Sequence, residues 1–214
     1  MFRRDYLMNM IEQMTEAVGH LLQLKKELKH QEALLVIDEL LDKRFGLSGK
    51  LIRSLSDKDL MAVLTTNGVI ETDKIQAIAV TLKQESEVHA ELGNEDASFV
   101  SGLKALQLFM RLSLVGAEPT LVNPSKEAEQ LLEQLKAYEL PDHVKLLQAE
   151  WLEGEGHFAR AEDVLYELME DKAVTKEEVE AYYRRLLYCA DEKLEAGGLP
   201  REEVQHGLDS LIAN

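Results

Sequence analysis

The chain has 214 residues, a formal net charge of −16, and 12 glycines, 4 prolines and one cysteine. So acidic a protein repels phosphates, which argues against nucleic acid and anionic membranes as partners. A lone cysteine excludes an internal disulfide, and no run of about 18 apolar residues is present to cross a bilayer.

Hydrophobic residues make up 45% of the chain and charged ones 30%, which suffices for one domain or two small ones. Leu, Glu, Ala and Lys dominate and helix breakers are scarce, so an all-α protein is expected. The N-terminal MFRRDYLMNMIEQ lacks the uninterrupted apolar core of a signal peptide, and a cytoplasmic location is expected. The charge is uneven. Residues 1–50 hold eight Lys/Arg against eight Asp/Glu, whereas residues 117–214 hold ten against twenty-three, a balance of −13. That surface serves solubility or the recognition of a basic peptide or protein.

Residues 2–28 read as one long helix. Leu7, Ile11, Met14, Val18, Leu21 and Leu28 recur at steps of three, four and seven. Such a stripe packs on a core or, at near-heptad spacing, pairs two chains as a homodimer, although Lys25 interrupts the heptad. QEALLVIDELLDKRFGLS (31–48) reads as a second helix closed by Gly46, with Lys43 and Arg44 opposing the negative end of its dipole. A helix over 55–68 opens at Ser56, with Asp59 in capping range, and stops at Asn67-Gly68. Helices over 71–93 and 94–114 follow, the first ended by Gly93 and the second started by Asn94.

VGAEPTLVNP (115–124), with Gly116, Pro119 and Pro124, is the clearest break. It is read as a linker at 116–123 between an N-terminal helical region, 1–115, and C-terminal hairpins, 124–214, the alternative being one continuous domain. Beyond it, helices are expected from Pro124 or Ser125 to Tyr138, from Pro141 to Glu155, and from the Gly154–Gly156 turn to Lys172. Thr175 and Glu178 form a capping-box pattern for a helix to Ala196. Gly197-Gly198 ends it and Pro200 opens the last. The total is nine or ten helices, and no stretch alternates as a strand would.

Small residues recur in a pattern. Ala161 is followed by Leu165 and Leu168, and Ala128, 33 residues earlier, by Leu132 and Leu135. Ala33 with Ile37 and Leu40, and Ala105 with Phe109 and Leu112, repeat it. An alanine lets a neighbouring helix approach closely, and larger side chains four and seven residues on fill the space beside it. The spacing is near the 34-residue period of tandem helical hairpins. HVKLLQAEWLEGEGHFARAEDVLYELMEDK (143–172) resembles a tetratricopeptide repeat. Gly156, Phe158 and Ala161 fit its turn and second helix, and Ala149 fits the small position of its first helix. Leu152 replaces the usual aromatic, and no proline closes the unit near Lys172. The resemblance implies stacked antiparallel hairpins in an α-α superhelix that holds peptides or partner proteins on a concave surface. The family's ligand-holding positions lie mainly on first helices, where this sequence matches least, so no binding residue is carried over. The opening MFRRDYLMNMIEQMTEAV is also similar to that of a bacterial protein family of unknown function, with its Met-Phe…Asp-Tyr…Ile-Glu…Thr pattern, which implies no activity.

No phosphate loop, nucleophile elbow, zinc spacing or dinucleotide turn is present. The histidines at 20, 30, 89, 143, 157 and 206 are scattered, and the pairs Glu16/His20 and Glu85/His89 read as ordinary helix-face neighbours. Cys189, in YYRRLLYCADEKL, reads as a buried small hydrophobe within a helix. No catalytic, cofactor-binding or metal-ligating residue is assigned, and no cofactor is expected. Trp151 and Phe158 flank the Gly154–Gly156 turn, where they pack the hairpin shut or grip a partner. A stripe of Val179, Tyr183, Leu186 and Ala190 faces inward and leaves Tyr182, Arg185 and Leu187 outside it. Tyr and Arg are enriched at interfaces. Trp151, Phe158, Tyr182, Arg185 and Leu187 are thus the candidate contact residues. Two functional readings remain. One is a non-catalytic helical-repeat module that binds a basic or neutral protein or peptide. The other is an enzyme or small-molecule sensor with an inter-helix pocket that no motif flags. An open groove favours the first, and a closed cavity with converging carboxylates or histidines the second.

Overall fold

A computed structural model describes residues 2–213, with side chains from Met8 onward. The helices are α1 (Phe2–Lys26), α2 (His30–Arg44), α3 (Gly49–Ser54), α4 (Asp57–Val63), α5 (Thr72–Glu91), α6 (Glu95–Leu114), α7 (Pro124–Leu135), α8 (Asp142–Glu155), α9 (Phe158–Glu170), α10 (Lys176–Leu186), α11 (Asp191–Ala196) and α12 (Arg201–Ala213). The protein is all-α, built from helices packed in adjacent pairs.

Three local features depart from the sequence reading. Residues 49–54 form α3, whose start is capped by Ser48 Oγ accepting the Leu51 N–H at 3.2 Å. Asn67-Gly68, read as a helix stop, turns a short hairpin that pairs β1 (Thr65–Thr66) with β2 (Val69–Ile70). Both turn residues have positive φ, 53° and 76°, as a two-residue hairpin turn requires. The helix expected over 175–196 is broken at 187–190 into α10 and α11.

The chain divides into two compact units, Met1–Tyr138 and Glu139–Asn214. In the first unit, α5 and α6 form the centre. Ile75, Ile78 and Leu82 of α5 and Leu106, Phe109 and Leu112 of α6 have no solvent exposure. Gly102 allows their close approach, because a Cβ there would lie 2.8 Å from Ser86 Oγ. On α1, Met14, Leu21 and Leu24 are buried, while Ile11 and Val18 are half-buried. Leu28 falls beyond the helix, exposed and at φ 57°, so Leu24 takes its place in the stripe. The side chain of Leu7 lies outside the described residues. Lys25, which breaks the heptad, pairs with Glu87 at 2.7 Å.

The division does not fall at 116–123. Gln76, fully buried on α5, holds that segment. Its Nε2 donates to the Glu118 carbonyl at 3.0 Å, and its Oε1 accepts the N–H groups of Leu121 and Val122 at 2.6 and 3.1 Å. Lys83 on α5 pairs with Glu127 on α7 at 2.6 Å. The Gly/Pro-rich stretch is therefore a fixed loop, α7 packs on α6 within the first unit, and the boundary follows Tyr138.

In the second unit, α8 and α9 form a hairpin. Gly156 at φ 82° ends α8, and the His157 N–H returns to the Leu152 carbonyl at 2.8 Å. The Thr175–Glu178 capping box is present at the start of α10, which packs against α9 and α12. Gly207 of α12 lies against the Tyr183 ring, so a Cβ there would be 2.5 Å from Cζ. The four alanines of the recurring pattern, Ala33, Ala105, Ala128 and Ala161, are all fully buried. Ala128, however, belongs to the first unit and Ala161 to the second.

Candidate functional site

Three of the five residues read as contact candidates belong to the core. Trp151 and Tyr182 are each 1% exposed and Phe158 is 5% exposed. The single-stripe reading of α10 fails because this helix is buried along two faces. Tyr183 points at α12 and donates its hydroxyl to Glu162. Tyr182, one position earlier, donates its hydroxyl to the Phe158 carbonyl at 2.6 Å. Phe158 in turn covers Gly197, where a Cβ would lie 2.3 Å from the Phe158 ring. Burial, reinforced by Glu153 and Glu162, pushes the Tyr182 hydroxyl far above its ordinary range, so it stays a neutral donor. Cys189 is half-buried and non-helical. The carbonyls around it, Leu187 and Cys189, accept from Arg201 Nη1 and Nη2 at 2.9 and 2.6 Å. Arg185 and Leu187 do reach the surface, the first exposed and the second half-buried. Tyr188, in the same aromatic-rich stretch but not among the five candidates, is 92% exposed.

Arg185 leads to a groove. On α8, Leu146, Ala149, Glu150 and Glu153 form one stripe. On α10, Glu178, Ala181, Tyr182 and Arg185 form another of identical spacing, 32 residues on at every position. Between them lies an open groove of about 180 Å³. Ala149, Leu165, Val174 and Tyr182 are its buried apolar lining, and Leu146 at the rim is 37% exposed. Its polar groups are Glu150, Glu153, Glu178 and Arg185. Arg185 Nε and Nη2 donate to the two Glu153 oxygens at 2.8 and 2.7 Å, and its guanidinium carbon lies 6.0 Å from the Tyr182 ring centre. The Glu153 carboxylate holds the Arg185 pKa above its ordinary value. Residues 139–214 carry eight Lys/Arg against nineteen Asp/Glu, a balance of −11.

This arrangement can hold an apolar side chain and a cation. Its one signal in the sequence is an alanine at the corresponding position of each helix, Ala149 and Ala181, 32 residues apart. It was masked because Tyr182 serves the core and the groove floor at once. The first unit has a larger open groove of about 510 Å³ between α1 and α2, but Glu39–Lys43 and Gln13–Arg44 already pair across its polar lining. Among the described residues, no group of three His, Cys, Asp or Glu side chains is placed to hold a metal ion. No described helix is long and apolar enough to cross a membrane. No curated protein and no solved structure matches the chain. Residues 1–214 match the family of unknown function DUF6483 from end to end, and the chain belongs to that family.

Proposed function

We propose that this protein is a non-catalytic helical module that binds a segment of another protein along the α8–α10 groove. The observation that carries this reading is the groove itself. Two first-helix stripes of equal spacing flank an open groove with an apolar floor, an exposed Leu146 at its rim and mainly acidic polar groups. Segment-binding grooves draw affinity from apolar anchors and orientation from a few polar groups at the edge. The resemblance of 143–172 to a tetratricopeptide repeat supports the same reading, since α10 stands where the first helix of a following hairpin would. The likeness weakens after α10, where two helices, α11 and α12, replace a single second helix. A balance of −11 in this unit suits a basic or neutral partner. A reducing cytoplasm suits a chain with one unpaired thiol.

The test is affinity capture from the native cell extract with the wild type and with Ala181→Glu, which puts a charge into the groove from an exposed position. The proposal expects a protein that the wild type retains and the folded variant loses. Identical captured sets would contradict it.

A further inference from the structure

We infer that Arg185 is a built-in occupant of a guanidinium seat in this groove, and that the partner segment presents an arginine which displaces it. This inference rests on the groove reading above. The seat has two walls. Glu153 offers both carboxylate oxygens to a planar fork, at 2.8 and 2.7 Å from the Arg185 nitrogens. Tyr182 offers a ring face 6.0 Å from the guanidinium carbon. The Tyr182 wall is held independently of Arg185. Tyr182 is tied to the Phe158 carbonyl through its hydroxyl, and its ring lies 5.5 Å from that of Tyr183. Glu153 sits on the last turn of α8, with a side chain only 24% exposed. A planar carboxylate beside an aromatic face is the chemistry that selects guanidinium over ammonium.

The present occupant is open to exchange. The Arg185 side chain is 57% exposed, so its fork on Glu153 faces solvent on one side and can be replaced by another guanidinium. The net charge of residues 139–214, −11, also favours an incoming cation over a neutral or acidic group. An incoming arginine takes the fork on Glu153, and Arg185 swings to solvent or to the remaining rim carboxylates. Arg185 thus competes with the ligand, which is the opposite of the contact role its sequence position suggests.

The experiment is an amide chemical-shift titration of the full chain with N-acetylarginine methylamide, and with the lysine and leucine analogues as controls. It is run on the wild type, Arg185→Gln and Glu153→Gln, each first shown to keep the wild-type circular dichroism. The expected result is saturable shifts around Glu153, Glu178 and Tyr182 with the arginine probe. Arg185→Gln should tighten binding roughly two- to fivefold, the equivalent of one exposed ion pair no longer competing. Glu153→Gln should abolish saturation, and the lysine probe should bind more weakly. The inference is overturned if Arg185→Gln binds the arginine probe no tighter than the wild type, if the leucine probe binds as well, or if no probe shifts these amides. Those outcomes leave the groove reading to be judged by capture with Ala181→Glu, so the two fail separately.

Discussion

The Gln76 side-chain oxygen accepts the Leu121 N–H at 2.6 Å from a position with no solvent exposure. The same oxygen takes the Val122 N–H and the Thr120 hydroxyl, and the amide nitrogen donates to the Glu118 carbonyl. One side chain thereby holds four polar groups of a loop rich in glycine and proline. Gln76→Leu nearly preserves the volume but leaves those groups unpaired. A group orphaned away from water costs about 1–3 kcal/mol, and one that water reaches costs less. Urea unfolding should show a lower midpoint, and the Leu121 and Val122 amides should exchange faster. A wild-type midpoint would show that the loop does not depend on Gln76.

That loop also marks a limit of sequence reading. Helix positions followed from periodicity, and the caps at Ser56 and Thr175 followed from residue type, because both are local. The apparent linker was misread because its tether lies some 45 residues away in IQAIAV, where a polar residue gives no sign that it faces inward. The break after Leu186 has a similar cause. No glycine or proline stands there, and the freed carbonyls are met by Arg201 from α12. Arg185 was picked out correctly as a surface residue, whereas its partner Glu153 is invisible without the α8–α10 packing.

Two glycines should respond to alanine in opposite directions. Gly207 presses on the Tyr183 ring, which is fully buried and bonded through its hydroxyl to Glu162. Gly207→Ala should cost about 1–3 kcal/mol through overpacking. Gly19 lies exposed in the interior of α1 with nothing within 4 Å of a Cβ, and Gly19→Ala should gain about 0.5–1 kcal/mol. Thermal melts should show one transition lowered and the other raised. Equal shifts would place Gly207 wrongly.

Glu162 gives a pH signature. Burial raises its pKa above the ordinary 4.5, Asp163 and Glu203 add to this, and the Tyr183 hydroxyl works against it. The folded state therefore binds this proton more tightly than the unfolded state. The stabilisation is fully present below the unfolded pKa and is lost as pH rises through the folded one. Glu162→Gln keeps an acceptor for Tyr183 and never ionises. It should exceed the wild type in stability at pH 7, with the gap closing as pH falls through the folded pKa and reaching its minimum near the unfolded value of 4.5. Urea melts across that range check this, and a gap independent of pH would contradict it.

The acidity of the second unit should act on association rate. Glu177→Lys combined with Glu180→Lys reverses two charges on α10. With a captured partner, stopped-flow association should slow in this variant. The wild-type rate should fall steeply toward physiological salt, where screening acts beyond about 8 Å. A rate indifferent to both would assign the charge to solubility alone.

The central claim is that the partner lies along α8 and α10, and hydrogen exchange of the bound complex tests it most directly. The account predicts slowed exchange in the 142–155 and 176–186 peptides, with α12 unchanged. Protection confined to α12 or to the first unit, with α8 and α10 exchanging as in the free protein, would contradict it.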